Sequence, residues 1–252
     1  MSKIIAVMSG KGGVGKTTSA INLGVALNKF GKDVVVVDAN LTTPNVGLHL
    51  GAPIVPVSLY DVLAKRNNIS EAVYEHHSGT KIVPTSLSLQ ELNEANFENL
   101  SSSMKKLKKM TDIVICDGAA GLGYEALSAI DACDEVVIIT QAELPAVADA
   151  LKTVKIAEQM GKKIAGVIVT RVDKSSDEMS IQSIESMLEH KVLGIVPDDK
   201  AVGSALASRD AVVNSHPRSR ASRSYKQIAA KLIGQEYREG FLSRVAGFFG
   251  AR

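Results

Sequence analysis

An α/β fold, with a mostly parallel sheet covered by helices on both faces, is what this sequence predicts, and three features carry the prediction. Short Val/Ile-rich runs alternate along the chain with stretches of helical periodicity. Several of the runs, such as Asp33-Val-Val-Val-Val37, are near-continuously Val/Ile, as strands buried on both faces are. A chain of 252 residues that is 45% hydrophobic can also fill one large α/β core, so a second full domain is unnecessary.

The first run, Lys3-Ile-Ile-Ala-Val-Met8, reads as a strand. A helix follows over 19–30, where Ile21/Val25 and Leu23/Leu27 form i,i+4 pairs suited to packing on a core. The segment between them is Gly10-Lys-Gly-Gly-Val-Gly-Lys-Thr-Thr18, which contains the pattern G-x-x-x-x-G-K-[ST]. In that cradle Gly10, Gly12, Gly13, Val14 and Gly15 turn successive backbone N–H groups inward around a polyphosphate. Lys16 reaches the β/γ-phosphates, the Thr17 hydroxyl ligands Mg²⁺, and Thr18 leads into the helix. The spacing also adds a second lysine, Lys11, directly after the first glycine.

Further strands are predicted over 34–37, 81–83, 113–116, 136–140, 164–170 and 192–196, with helical stretches between most of them. Two strands run into carboxylates. Ile113-Val-Ile-Cys-Asp117 is the arrangement by which P-loop enzymes hold Mg²⁺, often through water, and 118–123 reads as a γ-phosphate-sensing loop. The alternative role for Asp117 is a helix N-cap. Asp38 likewise follows its strand and opens Asp-Ala-Asn-Leu-Thr-Thr-Pro-Asn45, read as a Mg²⁺-linked switch or a plain polar turn. Over 104–110 a helix presents Lys105, Lys106, Lys108 and Lys109, which reads as a solvated basic face.

A net charge of +2 with mixed signs selects neither a strongly nucleic-acid-binding nor an acidic protein. Cys116 and Cys133 form no C-x-x-C pair and the five histidines show no H-E-x-x-H spacing, which argues against a structural metal or iron–sulfur site. Two unpaired thiols suit a reducing cytoplasm. No signal-peptide pattern precedes the glycine-rich loop and no stretch of about 18 apolar residues occurs, so no membrane-spanning helix is expected.

On these residues the chain resembles the MinD/ParA group of deviant Walker-A P-loop ATPases over most of 1–233. Lys11 is the most specific element. The resemblance implies ATP and Mg²⁺ as ligands, with a lysine at this position reaching the partner's phosphates in a nucleotide-sandwich homodimer. The segment 38–45 looks like switch I, and Asp117-Gly-Ala-Ala-Gly121 looks like switch II. The catalytic set it implies is Lys11, Lys16, Asp38, Asn40 and Asp117, with Thr17, Asp38 and Asp117 at the metal. One departure stands out. The family often carries a second acidic residue where this chain has Asn40, which leaves slow, partner-stimulated hydrolysis as the expectation, since an amide can also orient water. The match favours adenine, with Gly121, Arg171, Pro197 and Asp199 near the nucleotide. Thr170-Arg-Val-Asp173 lacks the initial asparagine of the N-K-x-D that reads guanine.

The remaining 234–252 form a linker and tail. Gly240-Phe-Leu-Ser-Arg-Val-Ala-Gly-Phe-Phe-Gly-Ala-Arg252 holds three of the chain's five phenylalanines. At about 100° per residue, Phe241, Leu242, Val245, Phe248 and Phe249 share one helical face, as in a helix lying flat at a membrane surface. The tail is similar to the membrane-targeting tail of MinD proteins; docking on the chain's own core is the alternative. The expectation is a cytoplasmic protein, peripheral on the inner face of the cell membrane, that positions machinery such as the division site and answers to a stimulating partner. The rival is a ParA-like DNA-partition ATPase that grips phosphates through Arg218, Arg220 and Arg223. A metal-cluster carrier would require paired cysteines that are missing.

Overall fold

Every buried backbone N–H and C=O needs a partner, and in this chain an eight-stranded sheet and the helices packed on it supply them. The computed structural model describes residues 2–88, 91, 94–173 and 177–237. The strands are β1 (Lys3–Ser9), β2 (Val34–Ala39), β3 (Tyr74–Glu75), β4 (Lys81–Val83), β5 (Ile113–Ala120), β6 (Glu135–Gln141), β7 (Lys163–Val172) and β8 (Val192–Pro197). They lie in the order β3-β4-β2-β5-β1-β6-β7-β8, all parallel except β3, which pairs antiparallel with β4. At two residues, β3 is too short to show an alternating pattern, and the sequence did not predict it.

Helices cover both faces, as predicted. Period-2 geometry sends Ile4, Ala6 and Met8 of β1 toward α4 (Asn99–Lys108), α5 (Tyr124–Ala132), α6 (Leu144–Gln159) and α7 (Ile181–Leu188). Ile5 and Val7 face the opposite layer, which holds α1 (Lys16–Lys29) and α10 (Arg220–Leu232). Val34 to Val37 of β2 are all buried, alternately in the two layers. At about 1.5–3 kcal/mol per side chain, these four valines rival the net stability of a domain before entropy is charged against them. Shorter helices α2 (Val46–His49), α3 (Leu59–Leu63), α8 (Lys200–Ala207) and α9 (Val212–Ser215) complete the connections.

Several boundaries differ from expectation. α1 begins at Lys16 rather than Ser19, because Gly15 takes a left-handed conformation and its carbonyl accepts the Ser19 N–H. β5 does not end at Asp117. Its pairing continues through Ala39↔Gly118 and Ser9↔Ala120, and a Cβ on Gly118 would stand 2.3 Å from Met8 Sδ. The expected sensing loop therefore starts as strand. α4 stops at Lys108, whose ammonium pairs with Asp134 at 2.7 Å; Lys105, Lys106 and Lys109 are solvated as expected.

Candidate functional site

The predicted cradle forms at the carboxyl edge of the sheet, where β1 hands over to α1. Gly13 and Gly15 have φ of +80° and +85°, which a residue with a Cβ adopts only under strain. Gly10 is required by closeness instead, since a Cβ there would meet the Asp149 backbone of α6 at 2.2 Å. The loop is tied from a distance: Thr170 Oγ1, at the end of β7, donates to the Val14 carbonyl at 2.6 Å and lies 3.1 Å from the Thr140 carbonyl.

A cavity of about 290 Å³ opens over this cradle, lined by Gly12, Gly13, Lys16, Thr17, Asn40 and Arg171 among others. A second, of about 370 Å³, joins it at Gly15, Thr18 and Arg171, and is walled by Pro197, Asp199, Val202, Leu206 and Tyr225. One compartment offers backbone N–H groups and an ammonium; the other offers apolar walls. Together they suit a polyphosphate carrying a flat ring system. Arg171, Pro197 and Asp199 thus come together as expected. Asp199 takes part through the wall alone, because its carboxylate accepts from Ala201 N at 2.9 Å and Ala221 N at 3.0 Å. Burial opposes its ionisation, but those two N–H groups hold its pKa below the ordinary carboxylate value. Gly121 donates its N–H to the carbonyl of Ser9, which lines the phosphate cavity together with Ala120. Sequence reasoning missed Thr170 as a tether and Val202, Leu206 and Tyr225 as walls, because none sits in a local motif.

Asp38 and Asp117 stand opposite each other in the β2–β5 register, both fully buried. Lys16 Nζ lies 3.6 Å from Asp117 Oδ1, and neither Asp117 oxygen has a hydrogen-bond partner of ordinary geometry, although the Thr17 side chain stands close enough to favour the charged form. Burial pushes the Asp117 pKa up, against the opposing pull of Lys16, Thr17 and His49. For Asp38, burial and then the Asp117 charge push the pKa up, while N–H groups of Val46, Asn45 and Asn40 pull it down. A buried Asp117 carboxylate beside the Lys16 ammonium, with the Asp38 carboxylate opposite it in the strand register, makes a donor set that fits a hard divalent cation. Asp117 and the Thr17 hydroxyl are the groups that would hold Mg²⁺. Asp38, also expected at the metal, faces Asp117 across the strand pair, and its Oδ2 accepts from Asn45 N at 2.8 Å and Val46 N at 2.9 Å, so it also folds the 40–46 loop. Asn40 is engaged too, its Nδ2 donating to the Thr43 carbonyl at 2.6 Å and its Oδ1 accepting from Thr43 Oγ1 at 3.1 Å.

Lys11 extends past the cradle to Glu143 Oε2 at 3.2 Å, within the same chain. With the two side chains 35% and 58% exposed, this pair is worth less than about 1 kcal/mol and releases the lysine easily. Arg218, Arg220 and Arg223 are exposed at the start of α10, with Arg220 close enough to Asp199 to favour its charged form. Phe241, Leu242, Val245, Phe248 and Phe249 lie outside the described residues. Among the described residues no helix is long and apolar enough to cross a membrane.

A strand–glycine loop–helix cradle with a buried lysine and a strand carboxylate beside it defines a P-loop nucleotide-binding protein. The CobQ/CobB/MinD/ParA nucleotide binding domain matches residues 5–212, and the chain belongs to that family. It is 40% identical over 260 residues to an uncharacterized ATP-binding protein of Methanocaldococcus jannaschii, covering 100% of this chain and 98% of the other. The cell division ATPase MinD of Pyrococcus furiosus superposes with a TM-score of 0.89 at 30% identity, covering 93% of this chain and 99% of that one. The septum site-determining protein MinD of Pyrococcus horikoshii, solved with Mg-ADP, gives 0.88 at 28% identity over 98% of both chains. The fold is thus the P-loop NTPase fold of MinD.

Proposed function

We propose that this chain is an ATP-dependent switch that dimerises around its nucleotide, associates reversibly with a membrane surface and positions cellular machinery such as the division site. The observation that carries the reading is the two-part cavity, a polyphosphate cradle joined to an apolar slot at Gly15, Thr18 and Arg171. Likeness to an ATP-binding protein and to MinD ATPases, one bound to Mg-ADP, supports ATP and Mg²⁺ as its ligands. The cation, when bound, neutralises charge on the phosphates and on the leaving group.

This chain's own residues do the rest. Backbone N–H groups of the 10–18 loop and the Lys16 ammonium hold the phosphates in a fixed orientation. Asp117 supplies the buried carboxylate. Lys11, weakly held by Glu143 at the rim, is free to serve a second copy's phosphates. Asn40 has to leave Thr43 before it can orient a water, and that rearrangement supports slow turnover awaiting a stimulating partner. The nucleotide-dependent dimer would place two tails on one membrane. One amphipathic tail binds marginally, while linking two raises avidity by roughly 10²–10⁴ where the geometry permits.

The test is co-sedimentation of the full-length protein with anionic liposomes in ATP and in ADP, with turnover measured alongside. Greater binding in ATP, lost on deleting 240–252 or in Phe248→Glu while nucleotide binding persists, is expected. Equal binding in both nucleotides, or undiminished binding after truncation, overturns the membrane reading in favour of a DNA-partition role for Arg218, Arg220 and Arg223.

A further inference from the structure

Away from the nucleotide cavities, the turn 76–79 between β3 and β4 sets His76 and His77 beside Asp210, which lies between α8 and α9. One ring nitrogen of each histidine and one Asp210 oxygen all fall within 4.8 Å of one another. His76 is only 8% exposed. Its Nδ1 is spoken for, 2.9 Å from Ser78 Oγ and 3.3 Å from the Ser78 N–H. Its Nε2 is buried with no hydrogen-bond partner of ordinary geometry, although the Arg209 carbonyl stands near the ring. Native interiors rarely leave such an atom unpaired.

We propose that His76, His77 and Asp210 form a binding site for a divalent transition metal of the zinc class. Two imidazoles and one carboxylate are a zinc donor set, and they leave a fourth position for water or an outside ligand. The spacing fits. Two ligands about 2.05 Å from a tetrahedral centre stand about 3.3 Å apart, and His77 Nε2 is 3.4 Å from Asp210 Oδ2. A metal on His76 Nε2 moves the ring proton to Nδ1, which then gives up the bond it accepts from the Ser78 N–H at 3.3 Å and donates to Ser78 Oγ at 2.9 Å, the outer bond that metal-bound histidines make. Asp210 is oriented in the same manner, by Ala211 N at 2.7 Å and Asn214 Nδ2 at 2.8 Å. Burial and the neighbouring His77 also hold His76 below the ordinary histidine pKa, in the neutral form that ligates.

The site joins segments that rest on α1. Asn28 Nδ2 donates to the Gly79 carbonyl at 3.2 Å, and the Val213 N–H donates to Asn22 Oδ1 at 3.0 Å. A bound metal would therefore brace the helix that begins at the phosphate cradle. The spacing along the chain argued against a structural metal because the carboxylate arrives from a distant segment.

The experiment titrates the full-length protein with Zn²⁺ against a chromophoric chelator, in saturating Mg²⁺ and ADP so that the nucleotide-site ligands are occupied, with melting curves in parallel. One Zn²⁺ per chain and a raised Tm are expected. His77→Ala and Asp210→Asn should each weaken Zn²⁺ binding at least tenfold and remove the Tm shift while leaving ADP affinity unchanged. His77 is exposed, so its variant should fold even where His76→Ala does not. Absence of Zn²⁺ binding by the wild type, or wild-type affinity in either of those two variants, overturns the assignment.

Discussion

Thr170 offers the sharpest test of how the cradle is held, since its hydroxyl ties β7 to the loop. Thr170→Val keeps the side-chain shape and removes one donor, so no cavity complicates the result. The Val14 and Thr140 carbonyls, 2.6 Å and 3.1 Å from Oγ1, then share no proton. Thr170 is buried, at 3% exposure, so water cannot simply replace the hydroxyl. One hydroxyl carries one proton, so the loss is that of one buried hydrogen bond, about 1–3 kcal/mol, or roughly 5- to 150-fold in the folding equilibrium. Urea denaturation measures the loss of stability, and fluorescent-nucleotide titration should show affinity falling in the same variant because the Val14 peptide is no longer fixed. Thr170→Ser restores the donor and should recover most of both. A stability loss below about 0.5 kcal/mol, or a serine variant as damaged as the valine one, would refute the tether.

Lys16→Ala should abolish nucleotide binding, whereas Lys11→Ala should keep monomer binding and lose ATP-dependent dimerisation; light scattering that finds an ATP-bound Lys11→Ala dimer removes the trans role. Asn40→Asp should raise ATP turnover at saturating Mg²⁺ without tightening nucleotide binding, and unchanged or lower turnover discards the account of that position. For pH, Asp38 keeps its proton in the folded protein above the ordinary 3.8, because burial and then the Asp117 charge disfavour its charged form. Across that window the unfolded chain binds fewer protons, so stability falls as pH rises. The Tm of nucleotide-free wild type, taken relative to Asp38→Asn, should therefore decline between about pH 5 and pH 8. A flat or rising difference contradicts the burial argument.

Much of the site was legible because its parts are local. A glycine loop, the lysine it presents and the strand before it occupy consecutive residues, and backbone sterics restrict what such a segment can do. Asp117 could be read from an apolar strand running into a carboxylate for the same reason. Asn40 shows where this kind of reading stops. Its identity is visible in the chain, but its engagement with Thr43 depends on how the Asp38 carboxylate gathers the N–H groups of 40–46.

The α/β class, the two helical layers and the phosphate cradle were written in hydrophobic periodicity and short-range glycine geometry, interactions that need no knowledge of distant neighbours. Strand ends were not, because β5 runs on to Ala120 only as long as β1 and β2 offer partners. The apolar slot was not either: Arg171, Pro197 and Tyr225 meet because three chain segments converge at one end of a parallel sheet. Nor were the burial that raises Asp38 and Asp117, or the meeting of His76 with Asp210. Desolvation and cavity shape depend on everything packed around a group, and that surrounding exists once the chain has closed on itself.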